Sequence, residues 1–206
     1  VAKANQTTRP IILPKIRKRW LDVTVQGITP FLSHRFSPEA IEEMEGKKEK
    51  RAKGTRKAKD PKALYLQSLY PVPGAANSVY GIPAVAFKQS MVRACRHKAD
   101  RSMAEMKGII FVEGYILPIR DSKPEMDSRI ARIRGTADLR HRGVFRGPWK
   151  VDLSIRIIAD TVSPEEVLEL LALAGELVGV GDYRPEKAGE FGRFEIIGSP
   201  ELREEI

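Results

Sequence analysis

The sequence predicts an α+β fold: an antiparallel sheet with two helices on one face and long basic insertions. Three observations lead there. Val151, Leu153, Ile155 and Ile157 alternate with polar residues, the period-two pattern of a half-buried strand. Directly after it, Ser163-Pro164-Glu165-Glu166 opens a helix, with Ser as N-cap, Pro at the first helical position and Glu completing a capping box. The order strand, helix, strand then occurs twice along the chain, and the first pass carries the insertions.

Taken in order, Leu21, Val23 and Val25 near-alternate, and the pattern predicts a strand from Trp20 to Thr29, ended by Thr29-Pro30. Ser37-Pro38-Glu39 has the form of a helix start, with Ile41 and Met44 on one face and Gly46 at the end. Lys47 to Lys62 holds nine Lys or Arg against Glu49 and Asp60, with few apolar residues, and reads as a mobile surface loop. Leu64 to Tyr70 is a short ordered return, and Pro71 to Ser78 is irregular. Tyr80-Gly81-Ile82-Pro83 leads into a second helix, where Phe87, Met91, Ala94 and Cys95 recur at helical spacing. Ile109 to Ile119 is β-branched and aromatic, the composition of a strand. In Arg120 to Trp149 basic residues alternate with Gly and isolated apolar residues, and the stretch from Ile130 to Arg134 reads as one arm of a long hairpin. After the helix opened by Ser163, whose stripe is Val167, Leu170, Leu171, Ala174 and Val178, Gly179 and Gly181 end it and Phe191 to Ile197 returns as the last strand.

This order matches a ferredoxin-like (RRM-like) sandwich, with one sheet face left open for a ligand. The expected organisation is a basic N-terminal arm at 1–19 and a single domain at 20–197. Insertions fall at 37–79, containing the mobile loop 47–62, and at 120–149, the basic hairpin; an acidic tail follows at 198–206.

The formal charge of +9 over 206 residues favours polyanionic partners. It is also clustered, at Lys15 to Arg19, at Lys47 to Lys62, and at Arg120 to Lys150, where nine cations face four acids. No apolar run approaches the ~20 residues of a spanning helix, so no membrane partner is expected. The polar stretch from Val1 to Pro10 and the single Cys95 point to a reducing, cytoplasmic compartment. No metal site and no cofactor are expected. Walker, Gly-x-Ser-x-Gly and His-Glu-x-x-His patterns are absent, and Gly179-Val-Gly181 lacks the preceding strand of a dinucleotide fingerprint.

The segment from Gly175 to Phe194 carries the most chemistry. Gly181, Gly189 and Gly192 let a backbone approach phosphate and present amides, with Arg184, Lys187 and Arg193 among them; read alone, the same glycines also suit a helix end and a tight turn. Arg129, Arg132, Arg134, Arg140, Arg142 and Arg146 offer planar forks to phosphate or faces to bases. Phe145 and Trp149 are further stacking candidates, with core packing the preferred reading of Trp149. Lys88 and Arg93 lie on the second helix, and Lys47, Lys48, Lys50, Arg51 and Lys53 supply long-range attraction. General-base candidates near neutral pH are His97 and His34.

Gly189-Glu-Phe191-Gly192-Arg193-Phe194, after a helix and a Gly-rich loop, resembles the signature of the RAMP superfamily, the CRISPR-associated ferredoxin-like RNA-binding proteins. Ile82 to Arg93 is similar to the family's Ile-Pro-Gly-Ser-Ser-Leu-Lys-Gly-x-x-Arg helix entry, but Ala84-Val85-Ala86 stands where the family has Gly-Ser-Ser. The resemblance spans Leu21 to Ile197 in element order and only these two motifs in residues. It implies a backbone-type subunit that stacks in copies along a guide-type RNA, with a thumb-like basic hairpin and other effector subunits as partners. Family processing enzymes cleave RNA without metal through a His near the first helix, for which His97 is the nearest match, with Lys88 or Arg96 beside it; some family backbone subunits cleave target RNA with an acidic residue and a metal ion, for which Asp138 lies in the matching segment without a second carboxylate. A single-stranded-DNA-binding protein of a phage or mobile element, and an assembly protein binding acidic partners, are the remaining alternatives.

Overall fold

A computed structural model describes residues 13, 15–36, 60–75, 78–98, 101–133 and 136–204. The helix start at Ser37, the basic residues Lys47, Lys48, Lys50, Arg51 and Lys53, Arg134 and the side chain of Arg132 lie outside the described residues.

The chain forms an α+β fold with antiparallel sheets. Strand β1 (Lys18–Gly27) is followed by the two-residue β2 (Phe31–Leu32), helix α1 (Pro61–Gln67), β3 (Gly81–Pro83) and helix α2 (Ala84–Ala94). Then come α3 (Met103–Ile109), β4 (Phe111–Val112), β5 (Ile116–Pro118), the hairpin strands β6 (Pro124–Ile133) and β7 (Thr136–Phe145), β8 (Lys150–Ile158), α4 (Pro164–Leu173) and β9 (Phe194–Glu204). The main sheet has the order β4-β8-β1-β9, with Val23 opposite Leu153 and Val25 opposite Ile196. A second sheet runs β2-β7-β6, and β3 pairs with β5.

Alternation decides which face of the main sheet is covered. Leu21, Val23 and Val25 of β1 and Val151, Leu153, Ile155 and Ile157 of β8 are buried with Phe87, Met91 and Ala94 of α2 and Val167, Leu170 and Leu171 of α4. Each such side chain contributes about 1.5–3 kcal/mol when fully buried, which is what holds both helices to one face. The opposite face is polar and largely ion-paired: Arg203 pairs with Asp22, Arg120 with Asp152 at 2.5 Å, and Thr24 donates to Asp152 at 2.7 Å.

Four local outcomes differ from the sequence expectations. The ordered return begins earlier, as α1, because Asp60 accepts from the Lys62 amide at 2.9 Å and Pro61 sits in the first turn, a helix start hidden within a basic run. Ile109 to Ile119 is not one strand: Ser102 and Glu105 form a reciprocal capping box for α3, whose end takes Ile109, and two short strands follow. The last strand runs on to Glu204, so residues 201–204 are paired with β1 beyond a bulge at 198–200 opposite Val23, with Gly198 at φ +72°. Finally, Phe145, a stacking candidate, is buried in the core; Trp149 lies there too, as the preferred reading had it, with both rings 5.9 Å from Phe31 and the Trp149 indole N–H donating to the Thr29 carbonyl at 2.9 Å. Neither ring presents a face to a base.

Candidate nucleic-acid interface

Helix α4 runs into a π-helical turn (Ala174–Val178) that ends at Gly179, and the Gly-rich segment then folds back over the β1–β2 turn. The Gly192 amide donates to the Pro30 carbonyl at 2.7 Å, that of Asp182 to Leu32 at 3.0 Å, and that of Val180 to Gly192 at 2.9 Å. Gly192 is required there: its φ is +71°, and a Cβ would stand 1.8 Å from the Val180 carbonyl oxygen. The amides of Gly179, Lys187, Ala188, Gly189, Phe191 and Arg193 also donate within the protein. These amides serve the loop's own fold, so its capacity to hold anions rests mainly on side chains.

Helix α2 meets this loop. The Ser90 hydroxyl donates to the carbonyl of Gly179 at 3.0 Å. The two segments bound a cleft of about 260 Å³, lined by Pro83, Ala86, Gln89, Ser90 and Arg93 of the helix region and by 178–182 and Arg184 of the loop. Phe31, His34, Phe36, Tyr70 and Ile82 complete it.

At one side of the cleft, cations gather around one carboxylate. Glu186 is held by Arg93 at 2.6 Å and by Arg184 at 2.8 Å, with Arg96 at 3.9 Å. Burial pushes the Glu186 carboxyl up, but the hydrogen bond from Arg184 and the charges of Arg93, Arg184 and Lys187 outweigh it and leave it below its ordinary value. Among the described residues, four cationic side chains, Arg93, Arg96, Arg184 and Lys187, therefore gather at one carboxylate, and the cluster keeps a positive surplus.

At another side the basic hairpin β6–β7 docks through charges. Asp182 accepts from His34 Nδ1 at 3.0 Å and pairs with Arg142. Arg140 lies 3.3 Å from His34 Nε2, so both ring nitrogens of His34 have a partner. The hydrogen bond from His34 is the largest cause lowering the Asp182 carboxyl; burial opposes it, and Arg142 helps bring it to about 2. Burial in turn pushes the Arg142 guanidinium down, against the pull of Asp182. Arg129 pairs with Asp127 at 2.8 Å and lies 4.5 Å from the Phe191 ring centre.

The candidates from sequence thus divide. Arg93, Gly181, Arg184 and His34 line the cleft, and Lys187, exposed, stands beside its cationic side. Arg129, Arg140 and Arg142 anchor the hairpin. Arg146 pairs with Glu125 at 2.9 Å and Asp138 with Arg140 at 3.5 Å. Lys88 is over Phe111, 4.2 Å from its centre, with Arg156 on the same ring, and Arg193 pairs with Glu176. Gly189 abuts Tyr183, where a Cβ would fall 1.9 Å from the carbonyl oxygen. His97 is exposed in the turn after α2 and does not line the cleft. Sequence reasoning missed Phe36, Tyr70, Gln89, Asp182 and Glu186. The one usable signal was the placing of Asp182 and Glu186 among glycines and arginines.

No protein-family model matches the chain, and no curated protein matches it. Among the described residues, no helix is long and apolar enough to cross a membrane.

Proposed function

We propose that this chain binds single-stranded nucleic acid, RNA foremost, as a non-catalytic subunit that grips backbone phosphates. The observation that carries the reading is the cationic side of the cleft, where Arg93 from helix α2, Arg96 from the turn after it, and Arg184 and Lys187 from the loop converge on Glu186. Glu186 holds two guanidinium forks in place before any ligand arrives, which lowers the ordering cost of a phosphate contact. A single carboxylate cannot neutralise four cations, so the surplus remains available to a polyanion. Of the two motifs that resemble the RAMP superfamily, Ile82 to Arg93 lines this cleft, whereas Gly189 to Phe194 lies behind the loop wall, joined to it where the Val180 amide donates to the Gly192 carbonyl.

We further propose a ferredoxin-like architecture. Its support is the order β4-β8-β1-β9 of the main sheet, in which β1, α2, β4, β8, α4 and β9 succeed one another as two strand–helix–strand units. The hairpin β6–β7, inserted between β4 and β8, then occupies the place of a thumb beside the bound strand. Stacking along a guide-type RNA is part of the same proposal. The endoribonuclease alternative has no comparable support, since both ring nitrogens of His34 are engaged and His97 is away from the cleft.

The test is to purify the chain at moderate salt and characterise what nucleic acid accompanies it. RNA of narrow length in a nuclease-resistant particle agrees with a stacked RNA-binding subunit. Heterogeneous DNA favours the phage or mobile-element alternative. A chain that carries no strand, and takes up none at low salt, ends the proposal.

A further inference from the structure

We propose that the cleft receives one unpaired base of the bound strand, with the adjoining phosphate at Arg93 and Arg184. The inference rests on the nucleic-acid reading above and adds a subsite to it. The cleft differs in chemistry from the rest of the cationic surface. Phe31, Ile82, Val178 and Val180 are buried and make an apolar floor. Phe36 lines the same space while 57% exposed, a large ring left open to solvent at the mouth, 5.8 Å from the His34 ring. Tyr70 lines it as well, held by its hydroxyl's bond to the His34 carbonyl at 3.1 Å. Aromatic faces of this kind stack on any base without sequence preference.

The polar groups narrow the occupant. Arg93 and Arg184 belong both to the cleft lining and to the cluster around Glu186, so a ligand in the cleft lies next to the charge surplus. An anion joined to a flat apolar group satisfies both features at once. A fatty acyl chain also combines those two properties, but it would strip water from Asp182 and Gln89, which line the same space, and return no hydrogen bonds. The edge of a base carries donors and acceptors that suit those groups. The cleft volume of about 260 Å³ is on the scale of one nucleotide unit.

The test compares a single strand with an abasic strand of equal length and charge, by fluorescence anisotropy, on the wild type, Phe36→Ala and Phe36→Trp. The wild type should prefer the base-bearing strand by roughly tenfold, the scale of one base–aromatic stack. Phe36→Ala should bring the two strands to near parity, and Phe36→Trp should keep the difference. Phe36 is exposed, so its truncation leaves the core intact. Equal binding of both strands by the wild type, or a preference that survives Phe36→Ala, overturns the base subsite while leaving the phosphate-binding reading in place. Wild type that binds neither strand overturns the nucleic-acid reading itself. A free nucleoside monophosphate that competes as well as the strand does would make the cleft a mononucleotide site and overturn the assignment to a strand.

Discussion

Replacing Asp182 with Asn removes the negative charge through which the Gly-rich loop holds both His34 and the hairpin. The magnitude follows from two features. The carboxyl is lowered from 3.8 to about 2, and a difference of that size corresponds to about 2.4 kcal/mol before screening. Because its side chain is 36% exposed, solvent reduces this to about 1–2 kcal/mol. Arg142, whose side chain is only 9% exposed, also loses a counter-charge, and removing one partner of a fully buried pair costs about 3–5 kcal/mol. Asp127 stays near Arg142 and keeps that part small, so the expected net loss is about 2 kcal/mol. With a urea slope of about 2.5 kcal/mol/M for a chain of this size, the midpoint should fall by about 0.8 M at neutral pH. The pH dependence has a definite sign. A depressed carboxylate stabilises fully above its ordinary value of 3.8, and that contribution disappears as pH falls through about 2. The wild type should therefore lose this increment across that interval, and the gap between it and the variant should close. A midpoint unchanged by Asp182→Asn, with parallel pH curves for the two proteins, would refute the idea that this contact joins loop and hairpin.

Other perturbations separate structural residues from ligand-holding ones. Gly192→Ala forces a Cβ to 1.8 Å from the Val180 oxygen at a φ of +71°, and should cost at least about 3 kcal/mol in a urea titration. Arg184→Gln should weaken single-strand binding and lessen the log–log salt slope by about 0.7, measured by anisotropy at several salt concentrations. Neutralising four of Lys47, Lys48, Lys50, Arg51 and Lys53 should also flatten that slope for RNA and DNA alike; an unchanged slope would remove those residues from the interface.

Much of the sheet and both principal helices were legible, because period-two and helical spacing mark the faces that must be buried. Val151 to Ile157 and the cap at Ser163 are such cases, and the Ser163 hydroxyl does accept from the Glu166 amide at 3.1 Å. The α1 start at Asp60-Pro61 was hidden because the surrounding charge run outweighed a two-residue signal. The paired strand beyond Ile197 was hidden because edge residues are exposed and show no alternation. The hairpin base misled differently: Val144 and Phe145 are both buried because both faces are covered there, as in a central strand, so polarity no longer reports the face.

At the site, Gly181, Arg184 and Arg93 were readable from local chemistry. The arrangement that gives them meaning was not. His34 and Asp182 are far apart in sequence, as are Arg93 and Glu186, and nothing local indicates such pairings. The arginines of the hairpin look alike in sequence; only the fold separates Arg142, buried against Asp182, from Arg146, exposed beside Glu125.

The central claim is that the chain grips the phosphates of a single strand, and equilibrium binding of the full chain across a salt series tests it most directly. Labelled single-stranded RNA, the same sequence as DNA, and a duplex of equal length would be titrated in parallel. The account predicts that the single strands bind more tightly than the duplex, RNA foremost, with log affinity falling linearly as log salt rises, by about 0.7 per phosphate held. Failure to bind any single strand at low salt, or an affinity indifferent to salt, would contradict it.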